Sequence, residues 1–273
     1  MLLEELVSIG FNIEKARKLA GSSNFHHRKK TRQELTDLFN KISGVYDCTF
    51  KEVKRAILSF PPFAGYDHER VVRHGVEVYG AGNEDKVKKA ILSFPRFVGY
   101  DHERVVRQGI EVYGVDNEDK VKRAILSFPQ FAGYDHERVV RQGVEVYGAG
   151  NEDKVKRAIL TNPQFAGYYH KRVVRQKTRL GRMAGLSDDE AINYLLDLPV
   201  LASYSAKRYL TAFDIGRQLE KEGFPQDDKM LKTFFSYHIK SPYVPDTKRK
   251  RISQAVSDKE PPLLEAMRKR LER

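Results

Sequence analysis

Apolar residues recur at helical spacing along the central part of the chain, in runs bounded by proline and glycine. In one run Val87, Ala90 and Ile91 stand at positions i, i+3 and i+4, which places their side chains on one face of a helix. Pro95 predicts the end of this helix, because the residue before a proline disfavours the α conformation. A second apolar run is closed by Gly114, which predicts a second helix with a C-terminal glycine.

This two-helix unit recurs at a step of 34 residues. Its most regular segment reads AILSFPPF from Ala56, AILSFPRF from Ala90, AILSFPQF from Ala124 and AILTNPQF from Ala158. A period of this length is typical of stacked units that cannot bury their apolar faces alone. Asn83 and Asp101 are the predicted N-caps of the first and second helix of one unit.

The sequence therefore predicts an all-α protein, a right-handed α-solenoid of 34-residue two-helix repeats with divergent capping units. We assign residues 1–53 to degenerate N-terminal repeats or a cap and 54–185 to the tandem repeats. Residues 186–273 are assigned to divergent C-terminal repeats and a basic cap. Atypical terminal units are expected, because a solenoid has to cover the ends of its core.

The net charge of the chain is +12 and its pI is about 9.5. Such a balance favours an acidic partner, either nucleic acid or an anionic membrane face. The charge is uneven: residues 88–121 hold six basic and six acidic residues, whereas a surplus of +10 lies in residues 156–273.

The setting of the protein is expected to be intracellular, in the cytoplasm or nucleoid, or in an organelle or nucleus. The single cysteine, Cys48, cannot form an internal disulfide, which favours a reducing compartment. The N-terminal residues do not read as a signal peptide, and no stretch approaches the roughly 18 apolar residues of a membrane helix. We expect a monomer with no membrane contact.

Pairs of arginines three residues apart recur on the predicted second helices, and this spacing puts both side chains on one face. We predict phosphate contacts through these arginines and two later basic residues: Arg70, Arg73, Arg104, Arg107, Arg138, Arg141, Arg172, Arg175, Lys207 and Arg208. The alternative is a solvated face that pairs locally with glutamate.

Two positions differ between otherwise near-identical units. After the proline stand Pro62, Arg96, Gln130 and Gln164, and on the second helix stand His74, Gln108, Gln142 and Gln176. Arginine and glutamine can make paired hydrogen bonds to guanine and adenine. Arg96, Gln130, Gln164, His74, Gln108 and Gln142 are therefore candidate base contacts, and neutral drift at exposed positions is the alternative.

No catalytic or metal site is predicted. The sequence contains no phosphate-binding loop, zinc-ligand spacing or nucleophile elbow. Asp67, His68 and Glu69 recur as a triplet, but consecutive helical residues point about 100° apart, so an N-cap followed by first-turn residues explains them. His26 and His27, next to a basic run, could bind metal or phosphate, and we favour a solvated basic loop. The basic run at 248–251 is either a phosphate contact or nuclear signal, or an exposed charged linker. We expect no enzyme, cofactor or metal.

The unit resembles the repeat of the mitochondrial transcription termination factor (mTERF) family, in which a proline ends the first helix, apolar residues follow and a glycine closes the second. The matching residues are Pro61, Pro95, Pro129, Pro163 and Pro199, Phe63, Phe97, Phe131, Phe165 and Leu201, and Gly80, Gly114 and Gly148. The resemblance spans about residues 38–243. It implies a curved helical solenoid that grips double-stranded DNA, or sometimes RNA, along a basic concave path.

The sequence thus predicts a modular, non-enzymatic binder of double-stranded nucleic acid, DNA before RNA, either sequence-tolerant or sequence-specific. Its expected role is in transcription or the control of gene expression. The alternative is a protein–protein scaffold, since helical solenoids commonly bind other proteins along their inner face.

Overall fold

The computed structural model describes residues 2–22, 25, 30–183 and 186–204, and this part of the chain contains helices and no strand. The chain divides into two compact units, Met1–His170 and Lys171–Arg273, which are described separately. The α-helices are α1 (Leu2–Ser8), α2 (Ile13–Ala20), α3 (Arg32–Tyr46), α4 (Phe50–Ser59), α5 (His68–Tyr79), α6 (Glu84–Ser93), α7 (His102–Tyr113), α8 (Glu118–Ser127), α9 (His136–Tyr147), α10 (Glu152–Thr161), α11 (His170–Met183) and α12 (Asp188–Asp197).

Regularly repeated helix pairs build most of the first unit, as the sequence predicts. We call α4, α6, α8 and α10 the first helices, and α3, α5, α7 and α9 the second helices. First helices pack on neighbouring first helices and second helices on neighbouring second helices, so the pairs form two layers. Each first helix leads into a five-residue 3₁₀ helix: Pro61–Gly65, Pro95–Gly99, Pro129–Gly133 and Pro163–Gly167.

The ends of the second helices follow local sequence rules. The Asp101 carboxylate accepts a hydrogen bond from the Arg104 backbone N–H at 3.0 Å, which confirms the predicted N-cap of α7. Gly114 ends the same helix with φ +92°, a conformation that side chains with a Cβ rarely adopt. These two residues set the length of α7, and the same residue types flank α5 and α9.

Asn83 occupies the predicted N-cap position of α6, but its side chain does not cap the helix. Instead its side-chain amide donates to the Tyr79 carbonyl at 2.7 Å. Asn83 ends a short 3₁₀ turn, Ala81–Asn83, that follows the glycine of the preceding helix. The amide therefore ties the turn to the second helix of the previous pair, while the acidic residues Glu84 and Asp85 remain in the first turn of α6, where they favour the positive helix end.

The core lies between the two layers. Val87, Ala90 and Ile91 are buried on α6, as their spacing predicts. A second helix and the first helix that follows it approach closely at a glycine: a Cβ built on Gly109 of α7 would lie 2.5 Å from Cγ1 of Val121 of α8. The equivalent glycine–valine contacts involve Gly75 with Val87 and Gly143 with Val155.

Tyrosines of the 3₁₀ segments make a further contact between neighbouring pairs. A Cβ built on Gly133 would lie 2.9 Å from the Tyr100 hydroxyl oxygen. The same relation holds for Tyr66 with Gly99 and for Tyr134 with Gly167. Gly99, Gly133 and Gly167 therefore each leave room for the tyrosine that follows the preceding 3₁₀ helix.

The described part of the second unit keeps the helix–proline pattern in altered form. Ser187 and Glu190 form a capping box at the start of α12, and a 3₁₀ helix, Pro199–Ser203, follows. Lys177 is fully buried and its ammonium donates to the Tyr204 carbonyl. Burial lowers the pKa of Lys177 to about 8.

Among the described helices of the chain, none combines the length and apolar character needed to cross a bilayer.

Candidate functional site

The predicted phosphate-contacting arginines lie near the N-termini of the second helices. On α7 the N-cap bond from Arg104 to Asp101 fixes the first turn, and Arg107 follows one turn later on the same side. The equivalent N-cap bonds of α5 and α9 measure 3.2 and 3.0 Å. The sequence thus places one arginine pair at the same position of each successive helix.

Every predicted arginine in the described chain is exposed to solvent. These residues are Arg70, Arg73, Arg104, Arg107, Arg138, Arg141, Arg172 and Arg175. None of them forms an ion pair with a carboxylate of the described residues. Glu69 pairs with Lys41 at 3.5 Å and Glu77 with His74 at 3.6 Å. Local arginine–glutamate pairing is therefore absent among the described residues, and the guanidinium groups face water.

The arginines are divided between the two units. The pairs on α5, α7 and α9 belong to the first unit, in which these helices are neighbours. Arg172 and Arg175 lie on the part of α11 that belongs to the second unit. Lys207 and Arg208 lie outside the described residues, as do His26, His27 and the basic run at 248–251.

The two classes of candidate base contact lie on different elements. Arg96, Gln130 and Gln164 are the second residues of the 3₁₀ helices; Gln130 is half-buried, and the other two are exposed. By contrast, His74, Gln108 and Gln142 directly follow an arginine of the second helices. The His74 ring is 6.1 Å from the His102 ring of the next pair. The second-helix position is therefore next to the arginine pair and at the junction between helix pairs.

A buried tyrosine–histidine contact joins successive helix pairs, and the sequence analysis did not detect it. The Tyr113 hydroxyl is hydrogen-bonded to Nδ1 of His136 at 3.4 Å. The equivalent contacts are Tyr46–His68 at 2.9 Å, Tyr79–His102 at 3.3 Å and Tyr147–His170 at 3.2 Å. Each histidine is the first residue of its helix, so the middle residue of the Asp-His-Glu triplet points into the core.

The surroundings of these histidines hold them in the neutral form. His136 is 4% exposed, its ring centroid is 4.5 Å from that of Phe131, and its Nε2 has no hydrogen-bond partner among the described residues. Burial lowers the pKa of His136 to about 4, and the pKa values of His68, His102 and His170 are lowered to the same value. Burial also raises the pKa of the Tyr113 hydroxyl. These groups serve packing between repeats, and no solvent-facing chemistry is available to them.

A groove between two first helices carries a second set of cations that the sequence analysis did not single out. We call it the basic groove; its volume is about 790 Å³. Its charged lining residues are Lys120 and Arg123 of α8 and Asp153, Lys156 and Arg157 of α10. The signal in the sequence is the recurrent motif NEDKVKR, whose basic residues return to one helix face at three-residue spacing.

A groove on the second-helix layer has a different character. We call it the mixed groove; it lies between α3, α5 and the start of α6, with a volume of about 640 Å³. Its apolar lining includes Val45, Val72 and Val76. Its charged lining residues are Glu69, Arg73, Glu77, Glu84 and Lys88. This surface therefore combines apolar area with charges of both signs.

Comparison with known proteins finds no matching family model and no matching curated protein. The resemblance to the mTERF family, carried by residues such as Pro95, Phe97 and Gly114, therefore stays a prediction. The functional assignment rests on the geometry of the helix pairs and their charged surfaces.

Proposed function

We propose that this chain is a non-enzymatic, modular binder of double-stranded nucleic acid, DNA before RNA, that acts in transcription or gene-expression control. In this proposal the helix pairs are 34-residue repeats of a right-handed, mTERF-like α-solenoid. The observation that carries the proposal is the arginine pair, which is exposed and free of carboxylate partners among the described residues on three neighbouring second helices, α5, α7 and α9.

Guanidinium groups without a carboxylate partner are suited to phosphate. Arginine presents a planar fork that matches a phosphate group and keeps its charge at all ordinary pH values. Each phosphate it neutralises releases counterions, which favours binding at low salt. Because Arg104 and Arg107 need not break an ion pair within the described residues to reach a ligand, binding carries no penalty for that step.

Base preference, in this proposal, comes from the variable position beside each arginine pair. His74, Gln108 and Gln142 follow the second arginine of their helices. The 3₁₀ positions Arg96, Gln130 and Gln164 supply a second, separate set of candidate contacts. Arginine would position the backbone while these residues meet base edges.

We propose that the chain works as a monomer inside the cell. Cys48 is its single cysteine, and burial is the main cause that raises the pKa of its thiol. A thiol with a raised pKa is a weak nucleophile at neutral pH, which agrees with a structural role.

The test is binding to labelled random-sequence duplex DNA, duplex RNA and single strands at low and moderate salt. We expect salt-sensitive binding that is tightest for duplex DNA. Replacing Arg70, Arg73, Arg104, Arg107, Arg138 and Arg141 by alanine should abolish it. The matched control replaces the same six residues by lysine, which keeps the positive charge but removes the planar guanidinium group. Wild-type protein that binds none of these nucleic acids at low salt would refute the proposal.

A protein–protein scaffold is the second candidate, and the mixed groove favours it. Val45, Val72 and Val76 beside Glu69 and Glu77 form the kind of surface that a peptide with apolar and basic residues fits. Under this alternative, the six alanine substitutions would leave binding of a non-acidic partner intact. A Val76→Ser substitution should weaken it and, because the net charge is unchanged, should have little effect on nucleic-acid binding.

A further inference from the structure

We infer that the basic groove between α8 and α10 holds backbone phosphates of the bound nucleic acid, so that the first helices supply part of the contact. This inference rests on the proposed function. It adds a site on the layer opposite the second-helix arginines, formed by Lys120 and Arg123 of α8 and Arg157 of α10.

The positive charge of the basic groove is largely uncompensated. Lys156 is held by Glu152 at 2.7 Å, which leaves three cations against the single carboxylate of Asp153 among the groove's lining residues. Lys120 donates to the neutral side-chain oxygen of Asn117 at 2.8 Å. A neutral acceptor orients the ammonium group and leaves its charge intact.

Arg123 is oriented in the same manner. Its Nε donates to the backbone carbonyl of Asp119 at 3.1 Å, while the terminal guanidinium nitrogens form no ion pair with the described carboxylates. The side chain is therefore held at the groove with its two terminal nitrogens available. Such a group can bind a phosphate through charge-assisted hydrogen bonds.

The basic groove and the mixed groove differ in charge. The mixed groove is lined by three glutamates against Arg73 and Lys88, and Lys88 is bound to Glu84 at 2.7 Å. Glu69 is paired with Lys41, so that Arg73 and Glu77 remain and the mixed groove is close to neutral. The basic groove is therefore the better location for a phosphate chain along these layers.

The chemistry of the basic groove indicates a polymeric phosphate. Four of the five charged residues that line this groove are cations. Lys86 and Lys89 of α6 stand one repeat before Lys120 and Arg123. Cations that recur at a fixed step along stacked helices suit a ligand whose charges also recur at a fixed spacing, as those of a nucleic-acid backbone do.

A charge-matched pair of variants tests the inference. One carries Lys120→Gln, Arg123→Gln and Arg157→Gln; the control carries Lys15→Gln, Arg17→Gln and Lys18→Gln on the exposed face of α2. Both lose three positive charges, and thermal unfolding of each establishes that it folds. Equilibrium binding to a labelled random-sequence DNA duplex is then measured over a series of salt concentrations.

We expect the groove variant to bind on the order of tenfold to a hundredfold more weakly, with a salt slope reduced by roughly 1 for each phosphate that it no longer neutralises. The α2 control should keep the wild-type slope. Equal binding by the groove variant and the control overturns the inference, and the proposed function then survives on its second-helix arginines. If wild-type protein binds no nucleic acid, both fail. Poly-glutamate is a further probe. If wild-type protein binds poly-glutamate and not DNA, and the groove variant does not bind poly-glutamate, the ligand is an acidic protein and the inference is overturned.

Discussion

The Tyr79 hydroxyl of α5 lies 3.3 Å from Nδ1 of His102, the first residue of α7. The two residues belong to neighbouring helix pairs, and His102 is 1% exposed. Its Nε2 has no hydrogen-bond partner among the described residues, so in the charged ring, where both nitrogens carry a proton, the Nε2–H would be buried without an acceptor. Stacking of the helix pairs therefore depends on neutral histidine.

Acid should destabilise the array within a defined pH range. The pKa of His102 is lowered by burial to about 4, against 6.5 for the free side chain. Below pH 6.5 His102 binds a proton in the unfolded chain but stays neutral in the folded chain until the pH approaches 4. Stability is therefore complete above pH 6.5 and is lost as the pH falls towards 4, by up to about 3 kcal/mol for each of the four histidines. Urea unfolding followed by circular dichroism at pH 7.5, 6.0 and 5.0 measures this loss.

A His102→Gln variant is the control for this pH dependence. Glutamine does not titrate, so the variant should lose less stability than wild type between pH 7.5 and 5.0, whatever its stability at pH 7.5. The carboxylates of Glu34, Glu52 and Glu190 have pKa values lowered below 4.5 by bonds to their capping partners, so their contribution to stability is nearly constant above pH 5. If stability changes with pH in the same way in the variant and in wild type, the pH dependence does not arise from His102.

Removing one tyrosine hydroxyl should weaken the junction between two helix pairs. Tyr79→Phe leaves Nδ1 of His102 buried without a partner, at a cost of about 1–3 kcal/mol. Tyr169 is 71% exposed, and Tyr169→Phe provides a control that should be neutral. A Tyr79→Phe protein with an unchanged urea midpoint would show that the hydroxyl contributes nothing to the junction.

A methyl group added between α7 and α8 should be destabilising. Gly109→Ala would place its Cβ 2.5 Å from Cγ1 of Val121, which is fully buried. Overpacking of this kind costs about 1–3 kcal/mol, which exceeds the roughly 1 kcal/mol that alanine gains over glycine in a helix. Adding Val121→Ala should recover part of the loss.

Two measurements test this steric explanation. Gly82→Ala is the control, because nothing lies within 4 Å of a Cβ there, and its thermal midpoint should match that of wild type. In the double-mutant cycle, strictly additive effects of Gly109→Ala and Val121→Ala would be evidence against a clash between the two residues.

Loss of an N-cap should destabilise a second helix by a smaller amount. Asp101→Ala removes the acceptor of the Arg104 N–H bond and should cost about 0.5–2 kcal/mol. Asp101→Asn keeps an acceptor oxygen and should retain most of the stability. Asp116→Ala, at an exposed turn position before α8, should have little effect. Equal midpoints for the alanine and asparagine variants at position 101 would contradict the capping role.

Local features of the fold could be predicted because their causes lie within a few residues. Pro95 ends α6 and Asp101 caps α7 through interactions along a short stretch of chain. Asn83 satisfies the same composition rule as Asp101, yet its amide binds the carbonyl of Tyr79. A 3₁₀ turn places that carbonyl within reach, and propensity rules for the N-cap do not contain this information.

The inter-repeat contacts could not be predicted in the same manner. His102 stands between Asp101 and Glu103, and the polar context suggests an exposed residue. Its burial depends on Phe97, five residues earlier in the same pair, and on Tyr79, which reaches it only when one helix pair stacks on the next. The arginine pairs could be identified from their three-residue spacing. The basic groove could not, because it forms only where the faces of α8 and α10 come together.

The close approach of Tyr100 to Gly133 has a bearing on how such a chain arises. The Tyr66–Gly99 and Tyr134–Gly167 contacts repeat it with the same residue types, so every boundary between these pairs is interchangeable. A gene duplication or deletion that keeps the reading register would join two surfaces that already fit. Unequal recombination between near-identical copies can therefore lengthen or shorten the array without the evolution of a new interface.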